Sequence, residues 1–543
     1  MADAMKSNSR DRLLIKVIMP KQGTERRVQG GGLPPKPFRS VDSIYRSSLC
    51  SQISAIRTAI APQVRKTEAA PVRVKLISKA AAKSHRPDRL FSTSSCPIIG
   101  VGRLGELFVR ATPTGLDRLA EIVDGDHSDQ IVKELSCVET IEAVTPAFRR
   151  RGLAAVDILR RCPRPNQRGF VARADLFNYG VGGNQSLLVE DFLDACKVRN
   201  VRVPTTRGYS EASYTFEVEC QTAEDVEAIS KIVGVRSISP MPLIRTIRPR
   251  LLAAKPLPHL PSANEVADDF PVVVVVDSGI SDKVPELNSW VVGRDAQVAP
   301  QYTNTDHGTF VAGLICWGGQ LNPTIAGLDR SPCGVFDLQV IPNDDPAKGN
   351  TSALLESEFL QSLDSALKQH ANRYKVWNLS LGTDTVCSLD EFSPLAEELD
   401  NLQERYKVSF VISAGNYDTP PLLDYPRAGK QLQTGRITAP ADSVLGVTVG
   451  AVSHVGYTAQ GPKEHHPSAF SRHGAGPNYI IKPDLVHYGG SCSTDLAHVA
   501  GIRSINGTGS AENLGTSFAT PLVARTLAQI YHQVTPAPSP VLQ

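Results

Sequence analysis

Residues 271–280, PVVVVVDSGI, indicate the architecture of the C-terminal half of the chain. Its five consecutive valines form a nearly unbroken β-branched run, which is typical of a strand buried on both faces of a parallel sheet. Downstream of this run, segments with helical periodicity alternate with apolar strands. This alternation predicts an α/β fold in which right-handed βαβ units build a central parallel sheet.

Two helix–strand pairs continue the pattern. Residues 354–374 have helical spacing and precede the strand-like VWNLSLG of residues 376–382. A second helical segment, residues 395–406, precedes VSFVISAGN of residues 408–416. The apolar face of this second helix consists of Leu395, Leu399, Leu402 and Tyr406. Each helix therefore has an apolar face that can cover the predicted sheet.

The N-terminal half repeats one order of elements. In residues 67–148, two strand-like segments precede a helix at 115–123 and a closing strand at 138–146. In residues 165–247, a strand at 212–220 precedes a helix at 222–233 and a closing strand at 235–242. The matching order predicts two small α+β units related by duplication.

Shifts in composition divide the chain into seven parts. We predict a basic, partly disordered arm (residues 1–66), a first α+β unit (67–148), a basic connector (149–164), a second α+β unit (165–247), a Pro-rich linker (248–261), a C-terminal α/β domain (262–535) and a tail (536–543). A short strand at Leu13–Met19 is the regular element expected within the arm.

The charge distribution is asymmetric. Residues 1–250 hold 40 of the 58 Lys and Arg and 26 of the 55 Asp and Glu, so they carry +14 and the rest of the chain −11. Three interpretations of this asymmetry are open. The basic segment is a nucleic-acid-binding arm, it docks on the acidic half of the same chain, or it is a solvated arm. Residues 1–90 match no nucleic-acid-binding fold and lack regular aromatic interleaving. Nucleic acid is therefore not the expected partner.

Length and composition exclude several protein classes. With 543 residues, 41% of them apolar and 21% charged, the chain is typical of a globular protein with several domains. No apolar run reaches the ~18 residues of a membrane-spanning helix, and the N-terminus does not resemble a secretory signal. The ten cysteines are scattered without a metal-like spacing. We therefore expect a cytoplasmic protein with reduced thiols and no membrane association.

Four polar residues stand at the ends of predicted elements. Asp277 ends the first strand, at the edge where parallel sheets place their sites. His307 precedes an apolar-periodic helix, Asn416 follows a strand, and Ser517 opens a further helix. Taken singly, each has an ordinary structural explanation, such as a turn residue, a structural histidine or an N-cap.

Taken together, their order and flanking residues resemble the subtilisin-like serine proteases, the subtilases of peptidase family S8. VVVVVDSGI (272–280) resembles the family's aspartate motif, DHGTFVAGLI (306–315) its histidine motif and GTSFATPLVA (515–524) its serine motif. WNLSLG (377–382) and VISAGN (411–416) are similar to the two strands that line the substrate cleft. The order Asp, His, Ser is that of subtilisin. The resemblance covers roughly residues 265–535.

This resemblance implies a subtilisin-like three-layer fold and a serine endopeptidase that works through an acyl-enzyme. Ser517 is then the nucleophile, His307 its general base, and Asp277 the group that orients the imidazole. The side chain of Asn416 and the backbone N–H of Ser517 are implied to form the oxyanion hole. The alternative is a catalytically silent subtilase fold used for binding or as a scaffold, which a missing triad residue would favour; none is missing.

The substrate site is implied by two tripeptides. Ser380, Leu381 and Gly382, with Ser413, Ala414 and Gly415, are expected to flank the cleft and to pair with an extended polypeptide substrate. We expect no required metal and no cofactor. The loop of residues 316–334 lacks the acidic cluster that calcium needs. His465, His466 and Cys492 match no zinc spacing, and Cys316 and Cys333 are predicted to be small core residues.

The N-terminal units have the size and class of subtilase propeptides, which assist folding and inhibit the cleft. A doubled propeptide-like region is the preferred interpretation, and cleavage is then expected in the Pro-rich linker. A permanent regulatory domain is the alternative, and both stay open. A regulatory protein partner is a further expectation, for example one of the ATPases beside which some intracellular bacterial subtilases are encoded.

Overall fold

The computed structural model describes residues 36–60, 66–126, 128–165, 169–180, 183–204, 208–246, 252–255, 259–266, 269–425, 431–457, 461–506 and 509–534. The predicted strand at Leu13–Met19, much of the Pro-rich linker and the tail from residue 536 lie outside these residues. Within the part of the chain that is described, no helix is both long and apolar enough to cross a membrane.

The first element is a helix that the sequence patterns above did not predict. Helix α1 (Ser43–Ile60) falls in the arm that was expected to be irregular. Its buried residues recur at helical spacing, namely Leu49, Ile53, Ile56 and Ile60. The carboxylate of Asp42 caps it by accepting the N–H of Tyr45 at 2.9 Å. The helix was not predicted because the segment around it is rich in Ser and Arg, which is typical of an irregular region.

Residues 67–148, named unit 1 here, form a small α+β fold against which α1 packs. Its elements are β1 (Ala70–Leu76), β2 (Ile98–Val101), β3 (Glu106–Ala111), α2 (Pro113–Asp124), α3 (Asp129–Cys137) and β4 (Val138–Ala143). The strands form an antiparallel sheet in the order β2-β3-β1-β4. One face of β1 supplies Val72 and Val74 to a core that also contains Leu116 and Leu119 of α2.

Residues 165–247, named unit 2, repeat this arrangement after a connector that contains two helices. Helices α4 (Pro146–Arg149) and α5 (Ala155–Arg161) precede unit 2. The elements of unit 2 are β5 (Phe170–Leu176), α6 (Gln185–Val198), β6 (Thr215–Cys220), α7 (Ala223–Ser230), β7 (Val235–Pro240) and β8 (Leu243–Thr246). The sheet of unit 2 has the order β6-β5-β7 and is antiparallel. The first strand of each unit lies beside the closing strand: β1 lies between β3 and β4, and β5 lies between β6 and β7.

The strand registers of the two units match in detail. The ladder of β1 with β4 shifts between Lys75 and Leu76, and that of β5 with β7 shifts between Asp175 and Leu176. Arg73 and Arg173 therefore occupy equivalent positions, each on the sheet face that turns away from the unit's own helices. The two sheets therefore share this register, and their origin by duplication stays a prediction.

The C-terminal domain follows two short elements, β9 (Leu252–Lys255) and α8 (Ala263–Val266). Its first part contains β10 (Val272–Asp277), α9 (Pro285–Asn288), β11 (Val291–Ala296), α10 (Asp306–Leu321), β12 (Gly334–Gln339), β13 (Leu354–Leu355), α11 (Glu356–His370), β14 (Val376–Leu379), β15 (Leu381–Gly382), α12 (Pro394–Tyr406) and β16 (Ser409–Ser413). Its second part contains α13 (Gln431–Thr434), β17 (Val447–Val452), β18 (Leu485–Tyr488), β19 (Ser491–Cys492), β20 (Val499–Ala500), β21 (Ile502–Asn506), β22 (Gly509–Asn513) and α14 (Thr516–Val534).

A seven-stranded parallel sheet organises this domain, as the sequence predicts. Its order is β11-β12-β10-β14-β16-β17-β18. Val273 and Val275 belong to the core beneath α10 and α14, whereas Val274 and Val276 belong to the core beneath α11 and α12. Helices therefore cover both faces of β10, which explains why its sequence is a run of valines rather than an alternation with polar residues.

Candidate active site

Asp277 and His307 meet at the carboxyl edge of the sheet. Asp277 ends β10 with no solvent exposure, and His307 is the second residue of α10 with 5% exposure. Nδ1 of His307 lies 2.8 and 2.9 Å from the two carboxylate oxygens of Asp277. Gly308 permits this approach, because a Cβ at that position would lie 2.3 Å from the carbonyl oxygen of Gly279.

The hydrogen bond to Asp277 determines what His307 can do chemically. With its proton on Nδ1, held by the carboxylate, the neutral ring has a lone pair on Nε2. This Nε2 atom is buried and has no hydrogen-bond partner among the residues that are described. An imidazole oriented in this way is ready to accept a proton at Nε2.

Ser517 lies in the first turn of α14, one residue before Phe518, whose ring centroid is 5.6 Å from that of His307. Its hydroxyl donates to the carbonyl oxygen of Ser380 at 3.3 Å. In return, the hydroxyl of Ser380 donates to the carbonyl oxygen of Ser517 at 2.8 Å. The structure thus brings Ser517 to the same edge of the sheet as His307, but the described part of the chain has no hydrogen bond between the two side chains.

Asn416 is fixed beside the N-terminus of α14. Its Oδ1 accepts the backbone N–H of Thr516 at 2.9 Å and the Thr516 hydroxyl at 3.0 Å. These donors orient the side-chain amide so that Nδ2 lies against Gly515, where a Cβ would be 2.9 Å from it. Gly415, at φ +95°, supplies the left-handed turn that follows β16 and aims Asn416 at this helix.

The predicted substrate strand is already paired within the chain. Leu381 and Gly382 form β15, which pairs antiparallel with Thr246 and Arg245 of β8. The other edge of β8 pairs antiparallel with Leu354–Leu355, the strand β13. The last strand of unit 2 therefore lies as a middle strand between two strands of the C-terminal domain.

The second predicted tripeptide is placed differently. Ser413 ends β16 and its hydroxyl donates to the carbonyl oxygen of Leu381 at 3.2 Å. The N–H of Ala414 donates to the carbonyl oxygen of Val449, and its own carbonyl oxygen accepts the N–H of Thr438. Because these backbone groups of Ala414 have partners inside the domain, pairing of residues 413–415 with an extended substrate stays a prediction.

Sequence reasoning missed the strand β8 and the residues opposite it. Leu354 and Leu355 were assigned to the start of a helix, whereas they form β13 just before α11. No local pattern marks residues 243–246 as a ladder partner of residues more than a hundred positions away. The sequence signal that was available is the extended, Pro-flanked character of MPLIRT at 241–246.

The described residues contain no cluster of three or more metal-ligating side chains. The imidazole of His466 packs edge-on against Tyr425, and that of His465 lies beside Tyr488. Cys492 is buried in the apolar core together with Cys316 and Cys333. Burial raises the pKa of the Cys333 thiol to about 12, so this sulfur remains a neutral thiol at physiological pH.

A family model and several solved structures are similar to this chain. The family model of the subtilase family matches residues 269–540, half of the chain. Two similar solved structures are the epidermin leader peptide processing serine protease (EpiP) of Staphylococcus aureus and fervidolysin of Fervidobacterium pennivorans, described as a keratinolytic enzyme related to subtilisin.

EpiP is 18% identical to this chain, with a TM-score of 0.40. The match covers 67% of this chain and 89% of the EpiP chain. Fervidolysin is 17% identical over 68% of this chain and 55% of that chain, with a TM-score of 0.38. No curated protein matches the chain. Because the family model matches half of the chain, the chain belongs to the subtilase family of serine endopeptidases.

Proposed function

We propose that this serine endopeptidase hydrolyses peptide bonds with Asp277, His307 and Ser517 as its catalytic triad. The observation that carries the proposal is the pair of contacts at 2.8 and 2.9 Å between Nδ1 of His307 and the carboxylate of Asp277. This contact leaves Nε2 of His307 buried and without a partner in the described residues. It is the arrangement that a general base for a serine nucleophile requires.

The first step is transfer of a proton from Ser517 to His307. In this step the Ser517 side chain rotates about χ1. Its hydroxyl leaves the carbonyl oxygen of Ser380 and donates to Nε2 of His307 instead. The oxygen of Ser517 attacks the substrate carbonyl as its proton passes to Nε2. Asp277 stays ionised, and its carboxylate stabilises the imidazolium. His307 then protonates the leaving amine, and water releases the acyl group by the same route.

The negative charge of the tetrahedral intermediate needs hydrogen-bond donors. We assign this role to Nδ2 of Asn416 and to the backbone N–H of Ser517 at the N-terminus of α14. The two bonds that Thr516 donates to Oδ1 of Asn416 support this assignment, because they leave Nδ2 facing Gly515. Donors fixed before the reaction lower its barrier without reorganisation.

The N-terminal region restrains the enzyme in this proposal. Strand β8 occupies the edge of β15, where an extended substrate would pair. Unit 2 also docks on the helices behind the cleft, and Val171, Tyr209, Met241 and Ile244 share a core with residues of α11 and α12. A polypeptide substrate must therefore displace β8 before it reaches Ser517.

A buried polar cluster supports this docking. Nη1 of Arg173 lies 2.8 Å from Oε1 of Glu356, which also accepts the hydroxyl of Tyr209 at 2.8 Å. The hydroxyl of Ser357 donates to Glu217 of unit 2 at 2.6 Å. In this proposal the region acts either as a propeptide that is removed or as a regulatory domain that is retained. A cytoplasmic location and a regulatory protein partner, for example an ATPase, are further parts of the proposal.

One observation favours the second candidate function, a catalytically silent scaffold. The Ser517 hydroxyl donates to Ser380 and not to His307. Incubation of the full chain with unfolded casein separates the two candidates when fragments are measured by mass spectrometry. If the protein is an endopeptidase, the wild type produces casein fragments, whereas Ser517→Ala and His307→Ala produce none. The scaffold predicts that wild type and both variants leave casein intact even after β8 has been displaced.

A further inference from the structure

Strand β9 covers one edge of the hairpin that β21 and β22 form just before the serine motif. The two hairpin strands pair antiparallel, and β9 extends them to a three-stranded sheet in the order β21-β22-β9. The residues of β9 belong to the linker between unit 2 and the C-terminal domain. Leu252 lies opposite Glu512 and Lys255 opposite Ser510, with a shift of register between the two pairs. The linker therefore supplies the third strand of this sheet.

The hairpin is attached to α10, the helix that carries His307. The hydroxyl of Ser504 donates to the carbonyl oxygen of Phe310 at 2.6 Å. At the far end of α10, the side-chain amide of Asn322 accepts the N–H of Arg503 and donates to the carbonyl oxygen of the same residue, both at 2.8 Å. Because these contacts join the hairpin to both ends of the helix, its position relative to His307 is set before a polypeptide binds.

The hairpin strand β22 ends at the active site. Its last residue, Asn513, lines a cavity of about 160 Å³ together with His307 and Thr246, the last residue of β8. The first residue of β9, Leu252, lies opposite Glu512, and β9 pairs antiparallel with β22, so β9 runs away from this cavity. The chain therefore approaches the catalytic residues along β15 and departs from them along β22.

The amide of Asn513 lacks an acceptor within the part of the chain that is described. Its Oδ1 accepts the N–H of Leu514 at 2.8 Å, whereas its Nδ2 has no hydrogen-bond partner, and the residue has no solvent exposure. A buried amide donor without an acceptor is costly. A backbone carbonyl oxygen is the acceptor that a polypeptide lying along β22 brings to this position.

We propose that the outer edge of β22 binds the leaving-group side of an extended polypeptide substrate, and that β9 occupies this edge in the uncut chain. The proposal rests on the endopeptidase function argued above and names a substrate class for it, namely long unfolded segments. When β9 is displaced, β22 becomes an edge strand with open backbone groups, and main-chain hydrogen bonds hold a strand that is added there. Such pairing selects for extended length and not for one type of side chain.

The strand registers give the substrate positions that pair with β22. Thr246 pairs with Leu381, and extending this register by one residue predicts that the hydrolysed bond follows Ile247. On this numbering, β9 (Leu252–Lys255) corresponds to the fifth to eighth residues after the bond. Backbone N–H groups alternate in direction along a strand, so prolines at the sixth and seventh of these positions remove one donor to β22.

The first test compares quenched fluorogenic peptides that share the residues before the bond and differ after it. One has four residues after the bond and one has ten, and two further peptides have ten with prolines at the sixth and seventh or at the ninth and tenth positions. The enzyme is the full chain with Ala253→Pro/Ala254→Pro, which frees the edge of β22. Leu257→Pro, in the linker but outside β9, is the matched control variant.

For the double variant we expect kcat/KM of the ten-residue peptide to exceed that of the four-residue peptide about tenfold. Prolines at the sixth and seventh positions should abolish this advantage, whereas prolines at the ninth and tenth should not. In the Leu257→Pro chain, where β9 competes for the edge, the advantage should be smaller. Equal values for the long and short peptides, or equal effects of the two proline pairs, would overturn the proposal.

A second measurement does not depend on turnover. In the Ser517→Ala background, Ala253→Pro/Ala254→Pro should speed hydrogen exchange of the β22 amides at least about fivefold relative to Leu257→Pro. An excess of the ten residues that follow the bond, added as a free peptide, should restore protection, and the version with prolines at the sixth and seventh positions should not. Protection that the free peptide fails to restore contradicts the binding edge. Restored protection without cleavage of any peptide contradicts the endopeptidase function alone, so the two failures are distinguishable.

Discussion

Arg173 of unit 2 and Glu356 of the C-terminal domain form an ion pair across the boundary between the two halves of the chain, with 2.8 Å between Nη1 and Oε1. Their side chains are 10% and 1% exposed. Burial raises the pKa of the Glu356 carboxyl, and Arg173 and the Tyr209 hydroxyl oppose this shift by stabilising its charged form. The charge of each partner is therefore supported by the other.

This ion pair predicts that the N-terminal region can be loosened by one substitution. Arg173→Met leaves the carboxylate of Glu356 buried without its cation, at a cost of about 3–5 kcal/mol to the docked state. We expect faster labelling of Ser517 by a fluorophosphonate and earlier release of the N-terminal half in limited proteolysis. Arg202→Met, which removes an exposed arginine of unit 2, is the control. Glu356→Gln provides an independent variant within the C-terminal domain. Unchanged labelling in both Arg173→Met and Glu356→Gln would show that this pair does not restrain the enzyme.

The register of β8 predicts where the chain cuts itself. The pairs Thr246–Leu381 and Arg245–Gly382 are antiparallel, and extending this register by one residue predicts cleavage of the bond after Ile247. Ile247 itself lies outside the described residues. We expect purified wild-type protein to yield a fragment whose N-terminal residue is Arg248, and Ser517→Ala to stay intact. A fragment that begins elsewhere would refute this register, whereas an uncut wild type that is labelled by the probe indicates a retained regulatory domain.

The amide of Asn416 predicts a loss of turnover without a loss of binding. Asn416→Ala removes the side-chain donor proposed for the oxyanion, and we expect kcat to fall about 10²–10³-fold with KM little changed. This magnitude is taken from the loss of the equivalent kind of donor in subtilisin, a member of the same family. Asn401→Ala, on the exposed face of α12, should have wild-type kinetics. A variant of Asn416 that raises KM and retains kcat would point to a role in substrate binding.

Asp337 predicts a pH dependence of stability. It is buried beside β10, and burial raises the pKa of its carboxyl to about 6, although the N–H of Ile280 and the guanidinium of Arg294 favour the charged form. The unfolded chain ionises this group near pH 4. The stability that it contributes is therefore fully present below about pH 4 and is lost as the pH rises through about 6.

Asp337→Asn should remove this dependence. Relative to wild type, the free energy of unfolding of the variant should rise between pH 4 and 6 by up to about 3 kcal/mol and then stay level. Urea unfolding in the Ser517→Ala background, which prevents autolysis, measures the difference. Asp282→Asn, an exposed change in the neighbouring loop, should give a constant offset. If the difference in unfolding free energy between Asp337→Asn and wild type does not change with pH, the raised pKa of Asp337 is contradicted.

The parts of the fold that follow from local sequence could be predicted. The valine run of β10 needs two apolar faces, and helices supply both. The motifs around His307 and Ser517 lie at helix N-termini as expected, because an apolar-periodic segment follows each of them. Asp277 and His307 could be assigned to one site, although they are 30 residues apart, through the resemblance to a family and not through any pattern between them.

Other features depend on contacts that local sequence does not encode. Helix α1 was missed because composition was weighed above the spacing of its four buried residues. The pairing of β8 with β13 and β15 joins distant segments, and each of the two partner strands has only two residues. That Thr246, Asp306 and Asp344 line one cavity was also missed, since these residues come together only in the folded domain.

The intact mass of the full-length protein after treatment with a fluorophosphonate shows whether Ser517 is the nucleophile of an active protease. We predict one adduct on the wild type, none on Ser517→Ala, and faster formation of the adduct on Arg173→Met, where β8 is released more readily. Labelling that persists in Ser517→Ala would contradict the assigned nucleophile. The absence of an adduct from both wild type and Arg173→Met, with the N-terminal half shown by proteolysis to be released, would show that the triad is silent.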